Sequence, residues 1–532
     1  MCGILITYGI DESNVLSALN DINNRGPFNR GKAYINGVGI GMVQLPMKSQ
    51  CVDVLPIKYK SYYVSYNGEV YDEYAKNIEK EIEIIMDSVC KLKPINGMFA
   101  IAAYDVEKNK IILARDEFGI KPIYYYYSKV DKIFIACSEI GPIIKLIGNV
   151  KFNPYAISEI VAFGTQAGEE TCFSGIYLLE PGSIFSIYLD TMEIIRDTLP
   201  EFQPEFKDLD SALQQSISSC ISDTFRPSSL LISDGLDSNL LLTYLDKDIN
   251  KYNVILNDLD LGVNLSQYTK LKQTSLNRKN FNDYFIGAVS AYGQPCRMTS
   301  ILMYQSLSEY IGQDGTHLVI TGEGADEIFW GYPRHLKLND RLLSNFDVVE
   351  WFFNDLGSNL LLLKSNEQKE HIYNVCNKIR STIKDPFDSI FYMDKKFSLE
   401  PLLRRSDHLM MRNTIETRVP FLHFGIPSFA KKIGIDRIKK GHNKSNLIEL
   451  MATRNSQYKI KPKTHFRAPV EMWFLEESST RHYFSAKQCD ILEHLGISID
   501  NLMTLSDKVM FEKIFMLKTM VVWYENFERC FV

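Results

Sequence analysis

The sequence contains few of the patterns that mark metal-binding, secreted or membrane proteins. Its 10 cysteines are widely spaced, with no C-x-x-C pair and no pairing with the 9 histidines at metal-ligand spacing. Most of the cysteines are therefore expected to be buried thiols in a reducing compartment. The N-terminus has no basic segment followed by an apolar one, and no run approaches the ~18 apolar residues that cross a bilayer. These absences predict a cytoplasmic protein with no membrane partner.

Neither sign of charge is in large excess. Lys plus Arg number 59 against 65 for Asp plus Glu, which gives a net charge of -6. This balance gives no support to a nucleic-acid partner bound mainly through its phosphates. The 45% hydrophobic and 23% charged residues are typical of a globular protein. At roughly 100 to 200 residues per domain, the length predicts two to four domains.

Residues 1–200 form a pattern of short strands separated by turns. Period-2 runs rich in Ile, Val, Tyr and Phe predict strands at CGILITYG, VGIGMVQL, YYVSYNGEVY, MFAIAAYD, KIILARD, PIYYYY, KIFIACS and SIFSIYLD. Helices are predicted at DESNVLSALNDI and EKEIEIIMDSVCKL. The pattern favours a layered α+β domain with antiparallel sheets. The segment 197–210, DTLPEFQPEFKDLD, is acidic, contains two prolines and is interpreted as a linker.

Residues 211–532 have a different pattern, with longer helical stretches between brief strands. The runs SLLIS, YNVIL and HLVIT predict a parallel sheet surrounded by helices. From about 340 the sequence is almost wholly helical, as in DVVEWFFNDLGSNLLLL and SDKVMFEKIFMLKTMVVWYENF.

Cys2 is the one cysteine whose position suggests chemistry. Removal of Met1 would leave its thiol beside a free α-amine, which can act as the base, and a lowered thiol pKa would supply thiolate at neutral pH. That arrangement suits hydrolysis of an amide through a thioester. The alternative is an ordinary cysteine packed under a strand.

Further motifs of the first half occur in a recognisable order. They are RGP at 25–27, YNGEVY at 66–71, NGMFAIAAYD at 96–105, ARDEFGIKPIYY at 114–125 and SEI at 138–140. This half resembles the class II glutamine amidotransferase domain of the asparagine synthetase family, an N-terminal nucleophile-type layered sandwich. The resemblance implies Cys2 as nucleophile and Asn67 and Gly68 as oxyanion donors. It also implies that Glu69 and Glu81 hold the amino group of glutamine.

Two positions depart from that family. Where the family has an arginine that binds the α-carboxylate of glutamine, this chain has Gln44, and where it has Arg-Gly-Pro-Asp, this chain has Phe28. An arginine makes bidentate, charge-assisted bonds that an amide cannot match. Either glutamine binds more weakly here or another cation substitutes.

The loop Ser233-Asp234-Gly235-Leu236-Asp237-Ser238 lies between an apolar strand and a helix start. Backbone amides at such a glycine turn bind anions well, so the loop can hold a pyrophosphate. Asp-Gly turns and helix caps have the same composition, which is the alternative interpretation.

Three later motifs favour the nucleotide interpretation. They are VITGEGADEIFWGY at 319–332, RRSDHLMMRNTIETRVPFLH at 404–423 and KPKTHFRAPVEMW at 461–473. With the loop they resemble the synthetase domain of the asparagine synthetase family. The resemblance implies an α/β parallel-sheet ATP-pyrophosphatase fold with a largely helical C-terminal part, in a domain of residues 211–532 after a glutaminase domain of residues 1–200.

The resemblance and the chemistry together assign roles in this second half. Asp237 and Asp326 are the expected ligands of Mg²⁺, the cofactor that accompanies ATP. Glu323 is the expected base and Lys463 the expected cation for phosphate and oxyanion charge. ATP is expected to contact Leu231, Ser233, Gly235, Leu236, Asp237, Ser238, Val254, Thr321 and Gly322. Structural roles are expected for Lys444, Asp407 and a Glu416–Arg418 ion pair.

Several departures leave the acceptor carboxylate open. Asp234 replaces a glycine, Thr321 a serine, Lys461 an arginine, His423 an aspartate, and Gln294 stands where glutamate is common.

The sequence therefore predicts a glutamine- and ATP-dependent amidotransferase that converts a carboxylate to an amide through an acyl-adenylate. L-Aspartate is the leading acceptor, and a homodimer is possible. One alternative is amidation of another carboxylate, such as a uronic acid of a surface glycan or a secondary-metabolite acid. Another is a degenerate, non-catalytic protein that binds glutamine or nucleotide.

Overall fold

The fold is described from a computed structural model of the 532-residue chain. It describes residues 2–48, 55–204, 206–222, 224–256, 265–337, 347–353, 356–438, 443–459, 473, 483–500, 502 and 507–531, with the backbone alone at 358, 433–438 and 507–509.

The first half contains two antiparallel sheets of six strands each. One has the order β10-β8-β9-β1-β3-β2 and the other β12-β11-β7-β6-β5-β4. All eight strands predicted from the sequence are present. The strands are β1 (Cys2–Tyr8), β2 (Asn29–Ile35), β3 (Val38–Gln44), β4 (Ile57–Tyr59), β5 (Tyr62–Val70), β6 (Gly97–Asp105), β7 (Lys110–Arg115), β8 (Tyr124–Ser128), β9 (Ile133–Cys137), β10 (Ile176–Leu178), β11 (Ser183–Tyr188) and β12 (Glu193–Thr198).

The two sheets pack face to face, with helices on their outer surfaces. Strands β1 and β3 of one sheet contact β5 of the other, and their apolar side chains form a buried core between the sheets. Helices α1 (Glu12–Asp21) and α3 (Ile140–Ile147) cover the first sheet, and α2 (Ile78–Lys91) packs on the second. The predicted layered sandwich is therefore present. Helix α4 (Pro154–Phe163) follows α3.

The second half is built on one parallel sheet with the strand order β15-β14-β13-β16-β17. Its strands are β13 (Ser228–Leu231), β14 (Asn250–Leu256), β15 (Leu271–Leu276), β16 (Leu318–Ile320) and β17 (Glu416–Arg418). The order reverses at β13, and a parallel sheet places its ligand crevice at the carboxyl ends of the strands next to such a reversal.

Helices surround this sheet and make up most of the remaining described chain. They are α5 (Leu209–Ile221), α6 (Leu236–Leu242), α7 (Phe281–Tyr292), α8 (Ser300–Gln313), α9 (Ala325–Ile328), α10 (Pro333–Leu336), α11 (Val348–Phe352), α12 (Leu356–Leu360), α13 (Asn366–Thr382), α14 (Pro386–Asp394), α15 (Glu400–Met411), α16 (Ile426–Ile438), α17 (Ser445–Arg454), α18 (Ala486–His494) and α19 (Asp507–Phe527). Short 3-10 turns lie at Asn23–Arg25, Pro420–Leu422 and Glu528–Cys530, and a π-helical turn at Lys395–Leu399 joins α14 to α15. Within the described ranges, no helix has both the length and the apolar composition that a bilayer crossing requires.

Three details differ from the sequence prediction. The stretch predicted as one helix near 350 contains two short helices, α11 and α12. Strand β17 lies inside the region predicted to be almost wholly helical, and three residues are too few for a periodic pattern. The segment interpreted as a linker begins inside β12, and α5 starts at Leu209 near its end.

The two halves share buried structure. One apolar cluster contains Leu5 and Phe173 of the first half together with Val319 and Trp523 of the second. At the C-terminal end, the amide of Val150 donates to the carbonyl oxygen of Cys530 at 2.9 Å.

Buried ion pairs also cross between the halves, and Asp407 is the centre of one group. Its Oδ2 accepts from Arg25 Nη2 at 2.6 Å, and its Oδ1 lies 3.6 Å from Lys121 Nζ. Burial alone would raise the pKa of Asp407, but Arg25 and Lys121 hold it below its ordinary value. All three side chains are at most 1% exposed, so Asp407 compensates the charge of Lys121 and, together with Glu139, that of Arg25.

We expect Asp407→Ala to lower the free energy of unfolding by about 3–5 kcal/mol, because it leaves two buried cations without their carboxylate. Urea unfolding of the whole chain measures this. The matched control is Asp21→Ala, whose partner Lys145 is 53% exposed, and its cost is expected to stay below about 1 kcal/mol. If Asp407→Ala and Asp21→Ala lowered the free energy of unfolding equally, Asp407 would not be needed to compensate the buried cations.

Candidate active sites

The first site lies where β1 and β5 meet across the two facing sheets. Cys2 opens β1, and its backbone amide donates to Asn67 Oδ1 at 3.0 Å. The Leu45 amide donates to the Cys2 sulfur. Both Cys2 and Asn67 are buried, at 4% and 0% exposure. The nucleophile and oxyanion residues predicted from separate motifs are therefore in contact.

Two features beside Cys2 match the needs of an oxyanion site. Asn67 Nδ2 is buried and has no hydrogen-bond partner among the described atoms, so an unsatisfied donor lies on the residue that contacts Cys2. Gly68 has φ 151, a conformation that side chains rarely adopt. A Cβ there would also collide with the backbone of Met98 and Phe99. The chain therefore requires glycine at the second predicted oxyanion position.

The thiol itself is not activated by its surroundings. Burial raises the pKa of Cys2 to about 11, in spite of the Leu45 amide that favours the thiolate. The lowered pKa expected from the sequence refers to a chain that begins with Cys2 after removal of Met1, and it stays a prediction. Because burial disfavours the thiolate, use of this sulfur as a nucleophile requires a base.

The predicted acidic pair lies together in the same pocket, but it is already paired with a lysine. Lys48 Nζ is 2.7 Å from Glu81 Oε1 and 3.0 Å from Glu69 Oε2. From the other half of the chain, Arg418 Nη2 donates to Glu69 Oε1 at 2.7 Å. Burial and the nearby Glu69 raise the pKa of Glu81 to about 8. The ammonium of Lys48 thus lies where an ammonium of a ligand was expected.

The pocket around these groups has about 350 Å³ of empty volume, part of which is open to solvent. Its lining residues are Cys2, Gln44, Leu45, Pro46, Met47, Lys48, Tyr66, Gly68, Glu69, Ile78 and Glu81. Gln44, which replaces the family arginine, pairs with Cys2 in the register of β1 and β3. Phe28 lies elsewhere, against His317 and below the guanidinium of Arg226.

The second site lies at the carboxyl edge of the parallel sheet. Leu230 pairs with Ile320, and Leu231 pairs with Tyr252. The predicted residues Leu231, Val254 and Thr321 are therefore brought to one edge, as a nucleotide site requires.

The loop between β13 and α6 is organised by its two serines. Ser238 Oγ accepts from the Ser233 amide, and Ser233 Oγ accepts from the Gly235 amide, both at 3.1 Å. Gly322 lies directly against the loop, because a Cβ there would be 3.0 Å from Asp237 Cβ. The side chain of Leu236 is half-buried at the helix start. The backbone carbonyl of Asp234 accepts from Tyr458 at 3.0 Å.

The predicted metal ligands converge on one cation, which is the side chain of Lys444. Lys444 Nζ lies 2.6 Å from Asp237 Oδ1 and 2.6 Å from Asp326 Oδ1. Two carboxylates that share one ammonium at these distances can also share a divalent ion. Mg²⁺ is commonly bound by one or two protein carboxylates together with the phosphates of a substrate. The described residues contain no group of three or more acidic, His or Cys ligands. The pair thus fits Mg²⁺ that arrives with a nucleotide.

Glu323 is held by donors from two helices. Its Oε1 accepts from Tyr304 at 2.7 Å and from Arg405, and its Oε2 accepts from Ser406. The guanidinium of Arg405 is buried and lies over the ring of Tyr304. Arg405 and Glu323 thus form a largely buried ion pair between α15 and the loop after β16.

One helix connects the two sites. Helix α15 carries Arg405 and Ser406, which hold Glu323, and the next residue is Asp407, which holds Arg25. Arg25 in turn donates from Nε to the Cys2 carbonyl oxygen at 3.3 Å.

The remaining departures from the family pattern lie at the junction of the halves. Gln294 Oε1 accepts from Gln166 at 2.5 Å and from the Cys172 amide at 3.0 Å. The ring of His423 is 4.5 Å from that of Tyr71, and burial lowers its pKa to about 3. Both side chains thus serve the contact between halves.

Lys463 and Lys461 lie outside the described residues. The sequence analysis missed Lys48 as a pocket residue and assigned Lys444 a structural role, although Lys444 bridges the predicted metal ligands. It also missed Arg405 and Tyr304 as partners of Glu323. A lysine has no sequence pattern that reveals which distant carboxylates it will meet.

Comparison with known proteins agrees over both halves. A family model described as asparagine synthase matches residues 208–497, and one described as a glutamine amidotransferase domain matches residues 1–197. Asparagine synthetase (glutamine-hydrolyzing) 1 of Bacillus subtilis (strain 168) is 21% identical, over 93% of this chain and 91% of that protein. Asparagine synthetase (glutamine-hydrolyzing) of Bos taurus is 25% identical, over 62% of this chain and 67% of that protein. The solved structure of an allosteric regulatory enzyme of purine biosynthesis covers 43% of this chain and 60% of that chain, at 13% identity and a TM-score of 0.27.

A substitution at Gly331 tests whether the acidic pair Asp237 and Asp326, which shares the Lys444 ammonium, takes part in the reaction with ATP. A Cβ at this position would collide with Asp326 Oδ1 and with Lys444 Cε. We expect Gly331→Ala to displace both groups and to reduce pyrophosphate release from MgATP by on the order of 100-fold. Gly357→Ala is the matched control, because nothing lies within 4 Å of its added Cβ. Unchanged pyrophosphate release in Gly331→Ala would show that the pair plays no part in that reaction.

Proposed function

The chain belongs to the asparagine synthase family and is a glutamine-hydrolysing amidotransferase, a carbon–nitrogen ligase, and from this we propose that it uses glutamine and ATP to convert L-aspartate to L-asparagine through an acyl-adenylate. The observation that carries the proposal is the presence in one chain of a Cys2 pocket with a buried free donor and of an acidic pair that shares one cation beside a phosphate-binding loop. The first suits amide hydrolysis, and the second suits MgATP chemistry.

In the first site, Cys2 is the proposed nucleophile and its own α-amine the proposed base. Removal of Met1 would place that amine at the position from which the Cys2 nitrogen now donates to Asn67 Oδ1. The amine can accept the thiol proton, which overcomes the raised pKa of Cys2. The sulfur would attack the amide carbon of glutamine to form a thioester and release ammonia. Asn67 Nδ2 and the Gly68 amide would donate to the oxyanion, and water would then release glutamate.

In the second site, the carboxylate of the acceptor would attack the α-phosphorus of ATP to form an acyl-adenylate and pyrophosphate. The Ser233–Ser238 loop would hold the pyrophosphate through its backbone amides and serine hydroxyls. Leu231, Val254, Thr321 and Gly322 would border the AMP moiety. Asp237 and Asp326 would hold Mg²⁺, which neutralises phosphate charge when it is bound. Lys444 would then move from the carboxylates toward the phosphates.

Ammonia would attack the acyl-adenylate to give the amide and AMP. Glu323 is the proposed acceptor of the proton that the attacking nitrogen loses, with Arg405 and Tyr304 as its positioning partners. Lys463 is proposed to stabilise phosphate and oxyanion charge. Ammonia is proposed to pass internally from the first site to the second. A cytoplasmic location and a homodimer, both expected from the sequence, stay predictions.

Aspartate is proposed as the acceptor because relatives along both halves carry that activity in their names. The test is pyrophosphate release from MgATP with ammonium present, measured over a panel of aspartate, uronic acids and amino-acid derivatives. We expect release with aspartate alone. Release with a uronic acid in place of aspartate would transfer the proposal to that acceptor, and no release with any acid would favour a non-catalytic nucleotide-binding protein.

The two sites are expected to be separable. Cys2→Ala should abolish release of glutamate from glutamine, because no nucleophile remains, and should leave ammonium-dependent amide synthesis within about twofold of the unaltered enzyme. Cys137→Ala, at another buried cysteine of the first half, is the control and should retain both activities. If Cys2→Ala also abolished the ammonium-dependent reaction, the proposed division of labour would be wrong.

A further inference from the structure

Lys48 lies inside the pocket of Cys2, and its charge is fully compensated there. Besides Glu69 and Glu81, its ammonium contacts the carbonyl oxygens of Val70 at 3.0 Å and Ala75 at 3.2 Å. Burial alone would lower the pKa of Lys48, but the two carboxylates raise it, so the group stays cationic. The resting pocket therefore contains a lysine ammonium where the ammonium of an amino acid would bind.

Apart from Lys48, the pocket offers little positive charge to a ligand. Glutamine at neutral pH carries an α-ammonium and an α-carboxylate, and each needs a partner of opposite charge once it leaves water. Among the residues that line the described pocket, Lys48 is the one with a positive charge. Gln44 can offer an amide donor but no charge, and an amide is a weaker partner for a carboxylate than a cation is.

We propose that Lys48 recognises the α-carboxylate of glutamine. When glutamine binds, the Lys48 ammonium leaves Glu69 and Glu81 and contacts this α-carboxylate, while the α-ammonium of glutamine binds between Glu69 and Glu81. This inference rests on the proposed glutaminase reaction and adds the residue that selects an α-amino acid as the donor. The exchange keeps the charge balanced, because glutamine is a zwitterion. Its α-ammonium lies against the carboxylates, and its α-carboxylate lies against the Lys48 ammonium. The flexible four-carbon stem of lysine permits the movement.

The two carboxylates do not depend on Lys48 alone to stay in position. Glu69 Oε1 is held by Arg418 at 2.7 Å, and Glu81 Oε1 accepts from the Val70 amide at 3.0 Å. Both contacts come from groups outside the region that the ligand would occupy. Departure of the lysine ammonium thus leaves an acidic pair that is already oriented for another ammonium.

The test compares three amide donors with the unaltered enzyme and with Lys48→Met. The donors are L-glutamine, 4-aminobutanamide, which lacks the α-carboxylate, and 5-amino-5-oxopentanoate, which lacks the α-ammonium. Ammonia release gives kcat/KM for each donor. The unaltered enzyme is expected to prefer glutamine over 4-aminobutanamide by about 10- to 100-fold, the range expected for a hydrogen bond between charged groups.

In Lys48→Met this preference should fall to within about threefold of unity, while the preference for glutamine over 5-amino-5-oxopentanoate should persist. Lys48→Arg should retain the preference for the α-carboxylate, and adding Gln44→Arg to Lys48→Met should restore it. Lys80→Met is the matched control, since Lys80 lies on the same helix as Glu81 but is 57% exposed. It should behave as the unaltered enzyme does.

Two results would overturn the inference. If Lys48→Met hydrolyses glutamine faster and with a lower KM, Lys48 is an internal competitor of the substrate and not its ligand. If the variant keeps the full preference for the α-carboxylate, another group recognises it. In both cases the glutaminase reaction itself stands. If the unaltered enzyme releases no ammonia from any donor, while its pyrophosphate release with ammonium is intact, the glutaminase part of the proposed function fails along with this inference.

Discussion

The structure depends on the compensation of charge where its two halves meet. Arg25, Lys121, Asp407 and Arg418 are all at most 1% exposed, and each has its partner of opposite charge in the other half of the chain. Since an uncompensated buried charge costs several kcal/mol, neither half can retain these groups in their present form without the other. Helix α15 supplies Asp407 to this network and Arg405 and Ser406 to Glu323. The position of the second site is therefore fixed by the same helix that joins the halves.

A common arrangement occurs at both sites. In each, two carboxylates that were predicted to bind a cationic ligand enclose a lysine ammonium instead, Lys48 between Glu69 and Glu81 and Lys444 between Asp237 and Asp326. Two like charges this close would repel one another and shift their pKa values if no cation were present. In each pair the internal lysine lies between the two carboxylates and reduces their mutual repulsion. The binding that we propose at each site would thus be an exchange of cations between the same two carboxylates.

Much of this was predictable from local patterns. Period-2 runs gave the positions of the eight predicted strands, and the loop at Ser233 was placed correctly because a turn and a helix start have a local signature. The residues singled out by the motifs also lie together, with Cys2, Glu69 and Glu81 in one pocket and Asn67 in contact with Cys2. The pairing of Lys48 and Lys444 could not be predicted, because it joins residues separated by up to 207 positions and lysine has no preferred local context. Strand β17 was missed because its structure comes from its neighbour β16, not from its own three residues.

The bond between Arg418 and Glu69 connects the glutamine pocket to the edge of the nucleotide sheet. Arg418 lies in β17, and its carbonyl oxygen accepts from the Thr321 amide at 3.0 Å, two residues before Glu323. Glu69 in the Cys2 pocket is therefore tied through one guanidinium group to the strand next to Thr321. If glutamine binding changes the affinity for ATP by some factor, ATP binding must change the affinity for glutamine by the same factor. Arg418 is a group through which any such reciprocal effect would pass between the two halves.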